Sequence, residues 1–158
     1  MKTKILVGSS APLFTLSDQK NTPRSLVDFL GQWVLLYFYP KDNTSGCTAE
    51  ACAIRDDFHG FKKIKATVLG VSTDSVKSHA AFAEKYQLPF PLLADTEKKV
   101  VNLYGVWQRK KMMGREYMGT VRTSFLIDPK GKIVKIYEKV KPMEHAQEVL
   151  RDLAILAK

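Results

Sequence analysis

Two cysteines and three histidines among 158 residues leave little material for a stapled or metal-held fold. One pair of cysteines cannot form the disulfide framework that small secreted domains rely on. A zinc site would have to join Cys47, Cys52 and His59 at unsuitable spacing, with His79 and His145 on separate expected helices, so no metal is expected. No apolar run approaches the roughly 18 residues of a membrane span, and MKTKILVGSSAPLF has only Ile5 to Val7 as an apolar centre, too short for a secretory signal. Phosphate loops, nucleophile elbows and dinucleotide fingerprints are missing as well. These absences lead to the expectation of a cytoplasmic protein without cofactor.

What is present is the composition of an ordinary globule, 45% hydrophobic and 26% charged, with length enough to bury a core and residues 1–158 expected to form a single domain. The formal net charge is +9, but its lysines and arginines are dispersed along the chain, as at Lys62, Lys98, Arg109 and Lys130 to Lys141, and accompany no nucleic-acid-binding signature. A solvated basic surface is expected, with no specific nucleic-acid partner.

Both cysteines lie in the run from Trp33 to Phe58, WVLLYFYPKDNTSGCTAEACAIRDDF. Trp33 to Tyr39 is an uninterrupted strand-forming segment of the kind covered on both faces, hence central in a sheet. Pro40 stops it, Lys41 to Gly46 has loop composition, and a helix is expected from Thr48 onward. Cys47 therefore stands at a helix start, where unpaired N–H groups and the helix dipole favour a thiolate, the reactive form of cysteine. A small buried hydrophobe remains the alternative reading of that residue.

Cys52 follows five residues later on the same expected helix. Helix geometry puts Cα atoms so spaced about 8.7 Å apart, with side chains turned about 140° from each other. That exceeds the roughly 7 Å reach of a disulfide. The pair thus reads as a redox couple whose joining requires the helix start to unravel. A bridge closing so short a loop would add little as a staple.

Along the rest of the chain, Ala11 to Leu16 reads as a short strand, Ser25 to Leu30 as a helical turn, Thr67 to Ser72 as a buried strand and Ser75 to Tyr86 as a helix. Thr96 to Tyr104 reads as another helix, Trp107 to Gly119 as a basic, Met-rich loop, and Val121 to Ile127 with Lys132 to Tyr137 as a hairpin about the DPKG turn. Glu144 to Leu156 suits an amphipathic terminal helix. The order gives an α/β fold: a mixed central sheet flanked by helices.

Pro40, Thr44 and Cys47 in the spacing P-x-x-x-T-x-x-C, followed by Glu50, Cys52 and, far later, Arg122 in VRTSFLIDPKG, resemble the peroxiredoxins. More narrowly the chain is similar to the bacterioferritin comigratory protein or peroxiredoxin Q subfamily, from Ala11-Pro12-Leu13-Phe14 through GVSTD at 70–74 and GVW at 105–107 to FLID at 125–128. The resemblance implies a thioredoxin-like fold with a peroxiredoxin-type N-terminal extension and insertions. It also implies a thiol peroxidase in which Cys47 attacks the peroxide and becomes a sulfenic acid. Arg122 would stabilise thiolate and developing oxygen charge, Thr44 would hydrogen-bond the peroxide, Pro40 would shield the sulfur and Glu50 would orient Arg122. Cys52 would resolve the sulfenic acid as an intramolecular disulfide, recycled by thioredoxin or a glutaredoxin-like protein in a monomer.

A thiol redox sensor or binding protein using the same switch is the alternative. A thioredoxin-type reductase would want C-x-x-C, and this is C-x-x-x-x-C. The stretch WQRKKMMGREYMG departs from relatives that carry an acidic residue near Arg109 and an aromatic near Met113, so substrate preference or reductant docking is expected to differ there.

Overall fold

The computed structural model describes residues 5–157; Met1 to Lys4 of the N-terminal stretch, and Lys158, lie outside the described residues. Seven strands form one sheet in the order β2-β1-β5-β4-β3-β8-β9. They are β1 (Thr15–Ser17), β2 (Pro23–Ser25), β3 (Trp33–Phe38), β4 (Ala66–Ser72), β5 (Leu92–Ala94), β8 (Thr123–Ile127) and β9 (Ile133–Glu138). The helices are α1 (Ser45–Asp56), α2 (Phe58–Lys63), α3 (Val76–Tyr86), α4 (Lys99–Leu103) and α5 (His145–Leu156), and a 3-10 turn spans Leu26–Phe29.

β3 is central, as its continuous apolar run requires. It pairs in parallel with β4 and antiparallel with β8. Alternate side chains feed two cores. Leu35 and Tyr37 pack with Ala51 and Ile54 of α1, Phe61 of α2, Phe82 of α3 and Val149 of α5. Val34, Leu36 and Phe38 face Phe14, Leu26, Val101 and Tyr104 on the other side.

Register delivers the site. Phe38, the last residue of β3, stands opposite Thr123, the first of β8, so the antiparallel pairing sets Arg122 beside the loop that leaves β3. The parallel partner β4 ends in step with β3, Val71 opposite Phe38, which brings Ser72 to Asp74 alongside the same loop. Three chain segments remote in sequence thereby converge at one end of the sheet, where α/β folds commonly place their chemistry.

Three expectations are corrected. The helix expected from Thr48 begins at Ser45, with Thr44 as N-cap, because Ser and Gly are readily accommodated in a first turn. The strand expected over Ala11 to Leu16 is confined to Thr15–Ser17. Trp107 to Gly119 is not a loop but the greater part of an antiparallel ribbon, β6 (Trp107–Met112) and β7 (Arg115–Thr120). Most of the ribbon's residues are exposed, so neither face needed apolar residues and the alternation that betrays a strand is missing. Its turn residues Met113 and Gly114 have φ of 52° and 80°, the left-handed pair that closes a tight hairpin.

Candidate active site

Starting α1 at Ser45 makes Cys47 the third residue of its first turn. The first intrahelical bond runs from the Thr48 N–H to the Thr44 carbonyl at 2.9 Å, so the N–H groups of Ser45, Gly46 and Cys47 have no acceptor within the helix. Cys47 is buried, Cys52 is half-buried on the same unbroken helix, and both thiols are free.

Arg122 reaches this turn from the start of β8. Its Nη2 donates to Cys47 Sγ at 3.3 Å, and its Nη1 donates to Glu50 Oε1 at 2.6 Å. One guanidinium fork therefore touches the sulfur with one arm and the carboxylate with the other, a geometry that a lysine ammonium could not reproduce. Gly46 makes room for it: a Cβ there would lie 3.0 Å from Arg122 Nη2. That role was invisible in the sequence, where Gly46 read only as loop composition.

Glu50 is fully buried, contrary to the usual fate of an acid in an early helical turn. Burial pushes its carboxyl up from 4.5 to about 7, with the Arg122 charge and hydrogen bond opposing the rise. Arg122 is itself partly buried, which on its own would favour the neutral form, yet Glu50 and Cys47 outweigh this and bind its proton more tightly. Among the described residues, Glu50 Oε2 and the hydroxyls of Tyr37 and Thr120 are the buried side-chain oxygens without a hydrogen-bond partner. Tyr37 lies fully buried over Gly70, its cross-strand neighbour, where a Cβ would come within 2.8 Å of the ring. Burial, followed by the charges of Glu50 and Cys47, holds its phenol well above the usual range.

Thr44 is exposed, and its hydroxyl donates to the Lys41 carbonyl at 2.8 Å. The hydroxyl hydrogen is thus committed, leaving lone pairs free to accept from an incoming O–H. Pro40 is half-buried where β3 gives way to the loop. The ribbon contributes one further cation. Lys110 Nζ donates to the Thr120 carbonyl at 3.0 Å, two residues before Arg122. Its chain crosses Gly119, where a Cβ would stand 3.0 Å from Lys110 Cδ. Partial burial lowers the Lys110 pKa, Arg122 lowers it further and Cys47 counteracts both.

Asp42, Asp74 and His79 come close enough together to suggest a cation site. Their facing atoms are already engaged with one another and with Tyr39, Ser72 and Ser78, which is the signature of a hydrogen-bonded network rather than of an open ligand set. The groove of about 470 Å³ between β1 and α4, of mixed polar and apolar lining that includes Leu13, Asp95, Glu97 and Leu103, contains none of the residues around Cys47.

Residues 7–136 match the AhpC/TSA family. The chain belongs to that family and is a peroxiredoxin. It is 44% identical over 149 residues to peroxiredoxin Bcp of Bacillus subtilis, covering 94% of this chain and 95% of the relative. With peroxiredoxin Bcp of Escherichia coli K12 it shares 46% over 143 residues, covering 90% and 92%. Among solved structures, a cysteine-to-serine variant of PrxQ from Xylella fastidiosa superposes with TM-score 0.93 at 37% identity, over 99% of each chain. The bacterioferritin comigratory protein of Xanthomonas campestris superposes with TM-score 0.87 at 39% identity, over 92% of each.

These relatives make the sheet and its helices a thioredoxin-like peroxiredoxin fold, and the protein a thiol-dependent peroxidase that acts on peroxides and draws on a thiol reductant. Among the described residues no helix is long and apolar enough to cross a membrane.

Proposed function

We propose that this peroxiredoxin reduces hydrogen peroxide and organic hydroperoxides through Cys47 and Cys52, and that thioredoxin or a glutaredoxin-like protein returns it to the dithiol. The observation that carries the reading is the Arg122 fork, one arm on Cys47 Sγ and the other on Glu50. Alkyl peroxide reduction is the activity for which the Xanthomonas campestris relative was studied in complexes, which supports including organic hydroperoxides.

In the first step the Cys47 thiolate gives an electron pair to the terminal oxygen of ROOH. The O–O bond breaks, sulfur is oxidised to the sulfenic acid, and the departing alkoxide or hydroxide takes a proton to become alcohol or water. Arg122 Nη2 and the free N–H groups of the first turn face the charge as it moves from sulfur to oxygen. The Thr44 hydroxyl, its hydrogen held by Lys41, accepts the peroxide's own O–H and so orients the terminal oxygen toward the sulfur. Pro40 limits water at the loop side.

In the second step the first turns of α1 unwind, and the Cys52 thiolate attacks the Cys47 sulfenic sulfur. Hydroxide leaves, is protonated to water, and the intramolecular disulfide remains. The external dithiol supplies two electrons and two protons by exchange.

Multiple-turnover peroxide consumption with thioredoxin, thioredoxin reductase and NADPH tests the scheme. Cys47→Ser is expected to abolish turnover, and Cys52→Ser to abolish thioredoxin-supported turnover while retaining a single peroxide-dependent oxidation. Turnover unchanged in Cys52→Ser would remove the resolving role. A single oxidation with no turnover in the unaltered protein would favour a sensor.

A further inference from the structure

Asp42 stands in a stretch of polar loop residues, two before the N-cap of α1, yet it is only 5% exposed. Its Oδ1 accepts from the Tyr39 hydroxyl at 2.6 Å, and its Oδ2 accepts from Ser78 Oγ at 2.8 Å and faces His79 Nδ1 at 2.7 Å. Its backbone N–H donates to Asp74 Oδ2 at 2.8 Å, which also takes the Ser72 hydroxyl at 2.6 Å. His79 is wholly buried, with Nε2 3.0 Å from the Leu93 carbonyl. A carbonyl can only accept, so Nε2 carries a hydrogen. A second proton must lie between Nδ1 and the carboxylate, since two bare lone pairs would repel at that distance. The loop leaving β3 is thus pinned through one residue to α3, to the end of β4 and, through His79, to β5.

Immediately after the pin, Asn43 adopts φ 62°, a left-handed conformation that asparagine tolerates and that is suited to a pivot. From there only residues 43–46 separate the fixed point from Cys47. Forming the proposed disulfide needs the start of α1 to unwind, and the pin decides how much chain takes part. With Asp42 held, Thr44 is kept where its carbonyl receives the Thr48 N–H and restarts the helix. With Asp42 released, residues 40–42 join the mobile segment, and the unwound state gains their backbone entropy.

We infer that the Asp42–His79 pair is a positioning clamp that sets the balance between the wound helix start, in which Cys47 meets peroxide, and the unwound one, in which it meets Cys52. This rests on the two-cysteine reading proposed above. The balance has a chemical consequence. A sulfenate that lingers in the wound state attacks a second peroxide: sulfur loses two more electrons, the second O–O bond breaks, and sulfinic acid and alcohol result. The clamp therefore governs sensitivity to over-oxidation.

Rapid mixing separates the two steps, a second-order oxidation by peroxide and a first-order disulfide closure. Asp42→Asn and His79→Leu are expected to slow the first and to speed the second at least about threefold. The peroxide concentration that yields sulfinic acid should rise in the same proportion. His79→Asn, which returns an N–H near the Nδ1 position, should restore wild-type behaviour in part. Ser78→Ala removes one hydrogen bond at the edge of the network and should give a smaller shift in the same direction, so the effect remains readable should the larger substitutions fail to fold.

A general loss of stability would lower the melting temperature without moving the ratio of closure to over-oxidation. An unchanged or slower closure in folded Ser78→Ala or Asp42→Asn, with an unchanged sulfinic threshold, would overturn the clamp. Absence of any peroxide-dependent phase in the unaltered protein would instead overturn the underlying reading.

Discussion

Two buried polar clusters flank Cys47, and they are built on opposite terms. On the loop side, the Asp42 carboxylate has three hydrogen-bonding neighbours and His79 has an acceptor at each nitrogen. Beneath the helix, the Arg122 fork is engaged on both arms, but Glu50 Oε2 and the Tyr37 hydroxyl, equally buried, have no partner. A saturated network gains nothing from rearranging and serves as an anchor. An unsaturated one tolerates a change of charge in its midst, because its groups have not all been committed to the resting state. The first holds the loop. The second meets the Cys47 sulfur.

The sharpest way to break this comparison is to remove the group that links sulfur and carboxylate. Arg122→Met should lower the second-order rate constant for peroxide about 10²–10³-fold, the usual cost of losing a donor aimed at developing charge. Stopped-flow measurement of Cys47 oxidation checks it. A loss below about tenfold would mean that the helix start alone carries the charge.

The Glu50 carboxyl gives the next largest effect, and its sign is fixed by burial. The folded protein holds that proton up to about 7, whereas the unfolded chain releases it near 4.5. Between those values the folded state binds more proton, so stability is greatest below about 4.5 and falls as pH rises toward 7. The full loss is on the order of 3 kcal/mol. Urea unfolding from pH 4.5 to 8 should show this decline in the unaltered protein and a flatter profile in Glu50→Gln; parallel profiles would contradict it.

The two stacked tyrosines of β3 and its end, 5.5 Å apart, offer the smallest and cleanest contrast. Tyr39→Phe strips a hydroxyl from the Asp42 carboxylate and should cost about 1.5–3 kcal/mol. Tyr37→Phe removes a hydroxyl that bonds to nothing described and should be neutral or slightly stabilising. Equal losses in the two variants, by equilibrium unfolding, would dissolve the distinction between the clusters.

The sequence made one of these clusters far more legible than the other. Cys47, Glu50 and Cys52 share one helix, and Arg122 stood out as a charge inside the apolar strand expected over Val121 to Ile127, so motif spacing and resemblance were enough to group them. Full burial of Glu50 was not foreseeable, since with the helix expected from Thr48 it read as an exposed first-turn acid that needs no partner. Asp42 read as loop chemistry, and its partners Ser78 and His79 lie 36 and 37 residues away on a helix whose own pattern gave no hint of them. Only the parallel pairing of β3 with β4, and the return through α3, brings them together. The β6–β7 ribbon, and with it Lys110, escaped because exposed strands carry no hydrophobic period.

The most direct test of the central claim is thiol mapping after a single equivalent of hydroperoxide and an acid quench. A Cys47–Cys52 disulfide is expected in the unaltered protein, a sulfenic acid confined to Cys47 in Cys52→Ser, and no oxidation in Cys47→Ser. Oxidation of Cys52 in the absence of the Cys47 thiol, at a rate matching the unaltered protein, would contradict it.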